Sequence, residues 1–149
     1  MGYRWLEHTA DLRLLAYGRD EAALYQEAGT GLLEAMGAPG KGAGLHRAVT
    51  VVAPDRESLM VAWLNELIYL AAVAGGPPAW CEVVAVQQRA EFELTGRVGP
   101  ASPATGAEVK AATYHGLRVS APGEEAAAGA VRPAGVPPGN WWAEIIVDV

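Results

Sequence analysis

Residues 59–74 constrain this chain more than any other stretch. Met60, Trp63, Leu64, Leu67, Ile68, Ala71 and Ala74 recur at the 3.6-residue helical period over four turns, and most positions between them are also apolar. Asn65 and Glu66 are the polar interruptions. A helix that is apolar nearly all round must be enclosed by other elements, so the rest of the chain is expected to be built around it. At 16 residues with two polar side chains it is too short and too polar to cross a bilayer. Asp55, following Pro54, is placed to cap its start, and the GGPP run at 75–78 ends it.

The flanking sequence supplies the partners. Residues 3–6 and 11–17 read as two short strands joined by HTA, because Asp11-Leu12-Arg13-Leu14 alternates with period two. Asp20 can cap a helix running to about Met36, with Leu24, Ala28, Leu32, Ala35 and Met36 on one face. Gly29 and Gly31 lie inside it at about 1 kcal/mol each relative to alanine, a cost that tight packing on a sheet would offset. Residues 45–53 read as a β-branched strand and residues 80–98 as a hairpin. EVKAATYHGLRVS and the closing WWAEIIVDV read as further strands. The expected architecture is α+β, with two helices packed on a largely antiparallel sheet in a single-domain sandwich spanning 1–149.

Composition qualifies the size of that core. Of the 51% apolar residues, 29 are alanine, and 18 glycines and 10 prolines add to the small-residue content. The excess concentrates at 37–44, 75–79, 99–106 and 121–139, which are expected to be loose, enlarged loops between the motif-bearing elements.

A net charge of −6 lacks the basic footprint of stand-alone nucleic-acid binding. One cysteine, Cys81, excludes an internal disulfide framework and fits a reducing compartment. The first residues, MGYRWLEHTAD, do not form a signal peptide, so a cytoplasmic protein is expected, with no membrane partner. There is no Walker loop, CxxC, HExxH or GxSxG. Cys81 lies in an alternating strand, where a buried thiol explains it better than a nucleophile. His46, without polar company, reads as a surface residue.

Two constellations remain. Asp11 stands at a strand start with His8 and Thr9 just before it, although an aspartate there can equally cap a turn through the backbone. Asp148 places its carboxylate beside that of the terminal Val149 at the end of an apolar strand. Adjacent anionic groups repel unless a cation or donors relieve them, and calcium or magnesium takes oxygen ligands. Asp11 would complete such a site if its strand neighboured the last one; a solvated acidic tail is the competing explanation. The second constellation is Glu108, Lys110 and His115. Nine arginines against two lysines make Lys110 unusual in this chain, and a lysine suits a phosphate or a partner's carboxylate; the alternative is a same-face Glu108–Lys110 pair on a half-exposed strand.

LEHTADLRLLAYG, AGTGLLEAM, LMVAWLNELIYL, EVKAATYHGL and WWAEIIVDV, in that order across nearly the whole chain, resemble the archease family. The resemblance implies a protein that is not itself an enzyme but assists an RtcB-type RNA ligase in transfer-RNA splicing and RNA repair. It would promote ligase guanylylation and multiple turnover, meeting RNA only through the ligase. Archeases are also described as chaperone-like. The family's metal ligands fall on Asp11, Asp148 and Val149, with calcium the usual ion, and His8, Glu108, Lys110 and His115 are left for the partner surface. The chain departs from the family in GRVGPASPATGAEVKA, which has neither the usual acid nor a histidine between Gly96 and Gly106. Two other classes compete with this reading. One is a small metal-assisted phosphohydrolase using His8 or His115 to move a proton. The other is a general protein or RNA chaperone, whose RNA form the net charge opposes.

Overall fold

A computed structural model describes residues 1–6, 11–127 and 131–149. The chain runs β1 (Gly2–Leu6), β2 (Leu12–Gly18), α1 (Glu21–Ala35), β3 (Arg47–Ala53), α2 (Arg56–Ala74), β4 (Cys81–Gln88), β5 (Phe92–Val98), β6 (Ala111–Ser120), α3 (Glu124–Ala127) and β7 (Trp141–Asp148). The α+β expectation is borne out, but the strands divide between two antiparallel sheets, β1-β2-β7-β6 and β3-β5-β4.

Both helices begin as their sequences dictate. Asp20 accepts from the Ala23 N–H at 2.8 Å, and Asp55 from the Ser58 N–H at 2.7 Å. Each helix touches both sheets: α1 packs on β1, β2, β7 and β4, and α2 on β6, β3 and β5. One apolar cluster therefore runs from Leu14 and Ile145 of the larger sheet through Leu32, Trp63 and Leu64 to Val83 and Leu94 of the smaller. Trp63 is fully buried, its indole N–H donating to the Tyr25 carbonyl at 2.8 Å. A Cβ on Gly29 would lie 2.9 Å from the Cys81 sulfur and one on Gly31 2.8 Å from the Tyr3 ring, so both helical glycines are tight contacts with strands. The enclosure of α2 is incomplete, because Tyr69 and Val73 near its end are exposed.

Arg56, the first residue of α2, joins the two sheets. Its guanidinium stands 5.1 Å from the Phe92 ring centroid of β5 and 5.0 Å from the Trp141 ring of β7. It also pairs with Glu21 at 3.1 Å, and its carbonyl accepts from the Tyr25 hydroxyl at 2.8 Å. Partial burial holds the Glu21 carboxyl above its ordinary range despite Arg56.

Three expectations need correction. Within EVKAATYHGLRVS the strand opens only at Ala111, leaving Glu108 and Lys110 ahead of it. Residues 121–139 are not uniformly loose: they include α3, and Val136 is buried with Leu15 and Trp142 on the sheet face opposite the helices. The Arg4 side chain donates to the Ala134 carbonyl there. Residues 99–106 are likewise tied down, through Ser102 N–H to the Pro77 carbonyl at 2.7 Å and Gly106 N–H to the Met36 carbonyl at 3.1 Å. The HTA link falls among residues 7–10, outside the described residues.

Candidate functional site

The larger sheet settles whether the strand after Asp11 neighbours the last strand. β2 pairs with β7 with Leu12 opposite Val147, so Asp11 and Asp148 stand at successive positions of the same register. β6 lies on the other side of β7, with Ala111 opposite Asp148. In β7 the odd-numbered residues Ala143, Ile145 and Val147 join the core under the helices, as do Leu12 and Leu14 of β2. Period-two alternation then assigns Asp148, Glu144, Arg13 and Asp11 to the opposite face. On that face Arg13 pairs with Glu144 at 2.7 Å.

The Asp148 carbonyl accepts from the Lys110 N–H at 2.8 Å, which ties the motif before β6 to the chain end. Val109 is buried between exposed Glu108 and Lys110. These residues border a groove of about 670 Å³ whose apolar side is made by Ile68, Ala71 and Ala72 of α2. Among the described residues no three His, Cys, Asp or Glu side chains gather at one point. The corner brings the Asp11 and Asp148 carboxylates to adjacent register positions, oxygen groups of the kind a hard cation takes. His8 lies outside the described residues.

His115 belongs elsewhere. Between Thr113, opposite Ile146, and Arg118, opposite Glu144, four residues of β6 face a single residue of β7. The resulting bulge exposes Tyr114 and His115 and turns at Gly116, whose φ of 63° lies in the left-handed region. Two strand spacings and about three residues of rise put His115 on the order of 14 Å from Asp11, so it is no proton carrier for that corner. Cys81 is buried, and desolvation pushes its thiol up to about 12, as expected of a core thiol rather than a nucleophile. His46 is exposed.

Sequence reasoning missed two residues that hold the motif strand. β6 ends its sheet, so alternate N–H groups face away from β7 and need other acceptors. α2 supplies two: Asn65 Oδ1 accepts from the Ala112 N–H at 2.9 Å, and Glu57 Oε1 from the Val119 N–H at 3.2 Å. Their signal was available, since positions 57 and 65 lie eight residues apart on one side of a helix with few polar residues.

Comparison with known proteins agrees with this architecture. A family model described as the archease protein family (MTH1598/TM1083) matches residues 3–149. The archease of Methanosarcina mazei is 30% identical over 99% of this chain and 95% of its own length, and that of Methanosarcina acetivorans is 32% identical with the same coverage. Among solved structures, Methanobacterium thermoautotrophicum protein 1598 superposes with a TM-score of 0.71 at 24% identity, covering 99% of both chains. An archease from Thermotoga maritima, described as a possible chaperone, gives 0.57 at 20% identity over 97% of this chain and 94% of its own.

Proposed function

The chain belongs to the archease family, and from that premise we propose that it is a calcium-binding, non-enzymatic activator of an RtcB-type RNA ligase. It acts in the cytoplasm, promoting guanylylation and repeated turnover of the ligase in transfer-RNA splicing and RNA repair. The observation that supports this reading is the β2–β7 register, which brings Asp11 level with Asp148 at the chain end.

Asp11, Asp148 and the Val149 carboxylate would hold the ion. Three anionic groups at one sheet corner repel one another, and a hard divalent cation relieves that repulsion through oxygen ligands. When bound, it supplies a positive contact for phosphate on a protein of net charge −6. The Lys110 N–H fixes the Asp148 carbonyl. The exposed Lys110 ammonium, with Glu108 beside it, is offered to the ligase along the groove, and the exposed His115 further along the same strand adds to that partner surface. RNA is met only through the ligase, since the chain lacks a basic footprint of its own.

The test is joining of 3′-phosphate to 5′-hydroxyl RNA ends with the ligase limiting. Wild type is expected to sustain repeated turnover and Asp148→Ala to support little beyond the first round; equal acceleration by both contradicts the role assigned to the corner. A general chaperone is the second reading, and the exposed Leu45, Tyr69 and Val73 are the surface it would use. Suppressed aggregation of an unrelated client, with ligase turnover unchanged, would favour it.

A further inference from the structure

Asn65 interrupts the most apolar helix of the chain, and nothing in the proposed activity uses it directly. It is half-buried, and its acceptor is committed to the Ala112 N–H, the first outward-facing amide of β6 that α2 covers. Ala112 stands opposite Val147, and two residues earlier the Lys110 N–H donates to the Asp148 carbonyl. One turn further along α2, Ile68 borders the groove that Lys110 and Glu108 also border. A single hydrogen bond from the helix thus lies between the core and the backbone bond that joins Lys110 to Asp148.

We propose that Asn65 is a positioning residue: by holding the start of β6 against α2, it fixes Lys110 and Asp148 relative to each other and so sets the geometry of the corner with Asp11. The proposal rests on the calcium-site reading above for its functional consequence, but not for its structural one. A leucine at position 65 would suit an apolar helix, so the choice of asparagine is explained by the amide it satisfies rather than by helix formation. Glu57 makes the equivalent bond to Val119 on the far side of the bulge. Removing it strains the same strand without touching Lys110, which provides an internal control.

The experiment compares full-length wild type, Asn65→Leu, Asn65→Ala, Asn65→Asp, Glu57→Leu and Asp148→Ala by amide hydrogen exchange and by calcium titration. Asn65→Leu, and the smaller Asn65→Ala should leucine not be accommodated, are expected to lower protection of the Ala112 and Lys110 amides by about tenfold or more and to weaken calcium binding by about tenfold. Asn65→Asp keeps an acceptor and is expected to restore both, whereas Glu57→Leu should lower protection at Val119 alone. Unchanged protection of Lys110 in the leucine and alanine variants overturns the proposal, as does an equal loss there in Glu57→Leu. Loss of calcium binding in Asp148→Ala with full retention in both Asn65 variants overturns it too. If Asp148→Ala binds calcium as wild type does, the metal reading falls, and the positioning claim is decided by the Lys110 amide alone.

Discussion

The two sheets share one core yet differ in how they are assembled. The smaller is local: β4 and β5 form a hairpin, and β3 joins β5 from the same third of the chain. The larger pairs the first two strands with the last, and the last with β6, so that residues 11 and 148 become neighbours. Every residue proposed for the metal corner lies on or beside the larger sheet. The smaller contributes Cys81, a core thiol, and outward residues such as Val52 and Val84. A sheet that joins the chain ends can gather carboxylates no local hairpin could bring together. The local sheet gives the helices a second wall.

The sharpest way to break that division is to damage each sheet equally. Leu14 in β2 and Leu94 in β5 are both fully buried, and truncation of either to alanine is expected to cost about 2–5 kcal/mol in urea unfolding. Only Leu14→Ala should also weaken calcium binding, measured well below its melting temperature; an equal effect from Leu94→Ala would erase the distinction. Arg56 tests the joint between the sheets. Losing contact with both the Phe92 and Trp141 rings, together with a half-exposed ion pair, predicts a cost of about 2 kcal/mol for Arg56→Ala by the same measurement. Arg56→Lys should recover less than half, because an ammonium cannot stack flat against the rings.

Gly116→Ala probes the larger sheet alone. A Cβ meets nothing within 4 Å, so the penalty is the left-handed backbone itself, about 1 kcal/mol, with faster amide exchange confined to β6. The smallest effect concerns Glu27, whose carboxyl burial holds above its ordinary value. The folded chain therefore binds that proton more tightly than the unfolded chain. Stability is lost as pH rises from the unfolded value through the folded one. Glu27→Gln should accordingly melt higher than wild type at pH 7 and with little difference at pH 3, as followed by calorimetry.

Legibility in the sequence followed the same divide. Helix starts at Asp20 and Asp55 were readable because capping is a local bond between a side chain and an amide three residues on. The β4–β5 hairpin was readable from alternation, and the carboxylates of Asp11 and Asp148 from their chemistry. Their adjacency was not, because strand order depends on contacts across more than 130 residues, and no periodicity encodes it. The split into two sheets was hidden for the same reason. Small-residue loops misled in the opposite direction: composition marked 99–106 and 121–139 as loose, whereas backbone hydrogen bonds and the burial of Val136 tie them to the fold. Asn65 was visible as a polar break in an apolar stretch and Glu57 as a polar residue just ahead of it, but their purpose appears only once β6 is known to be an edge.

The central claim, that the joined chain ends form a cation site, is tested most directly by calorimetric titration of calcium into the metal-free protein. Wild type is predicted to bind a single ion per chain, with affinity lowered by about 100-fold or more in both Asp11→Asn and Asp148→Asn. No binding by wild type, or binding by either variant as tight as that of wild type, would contradict the account.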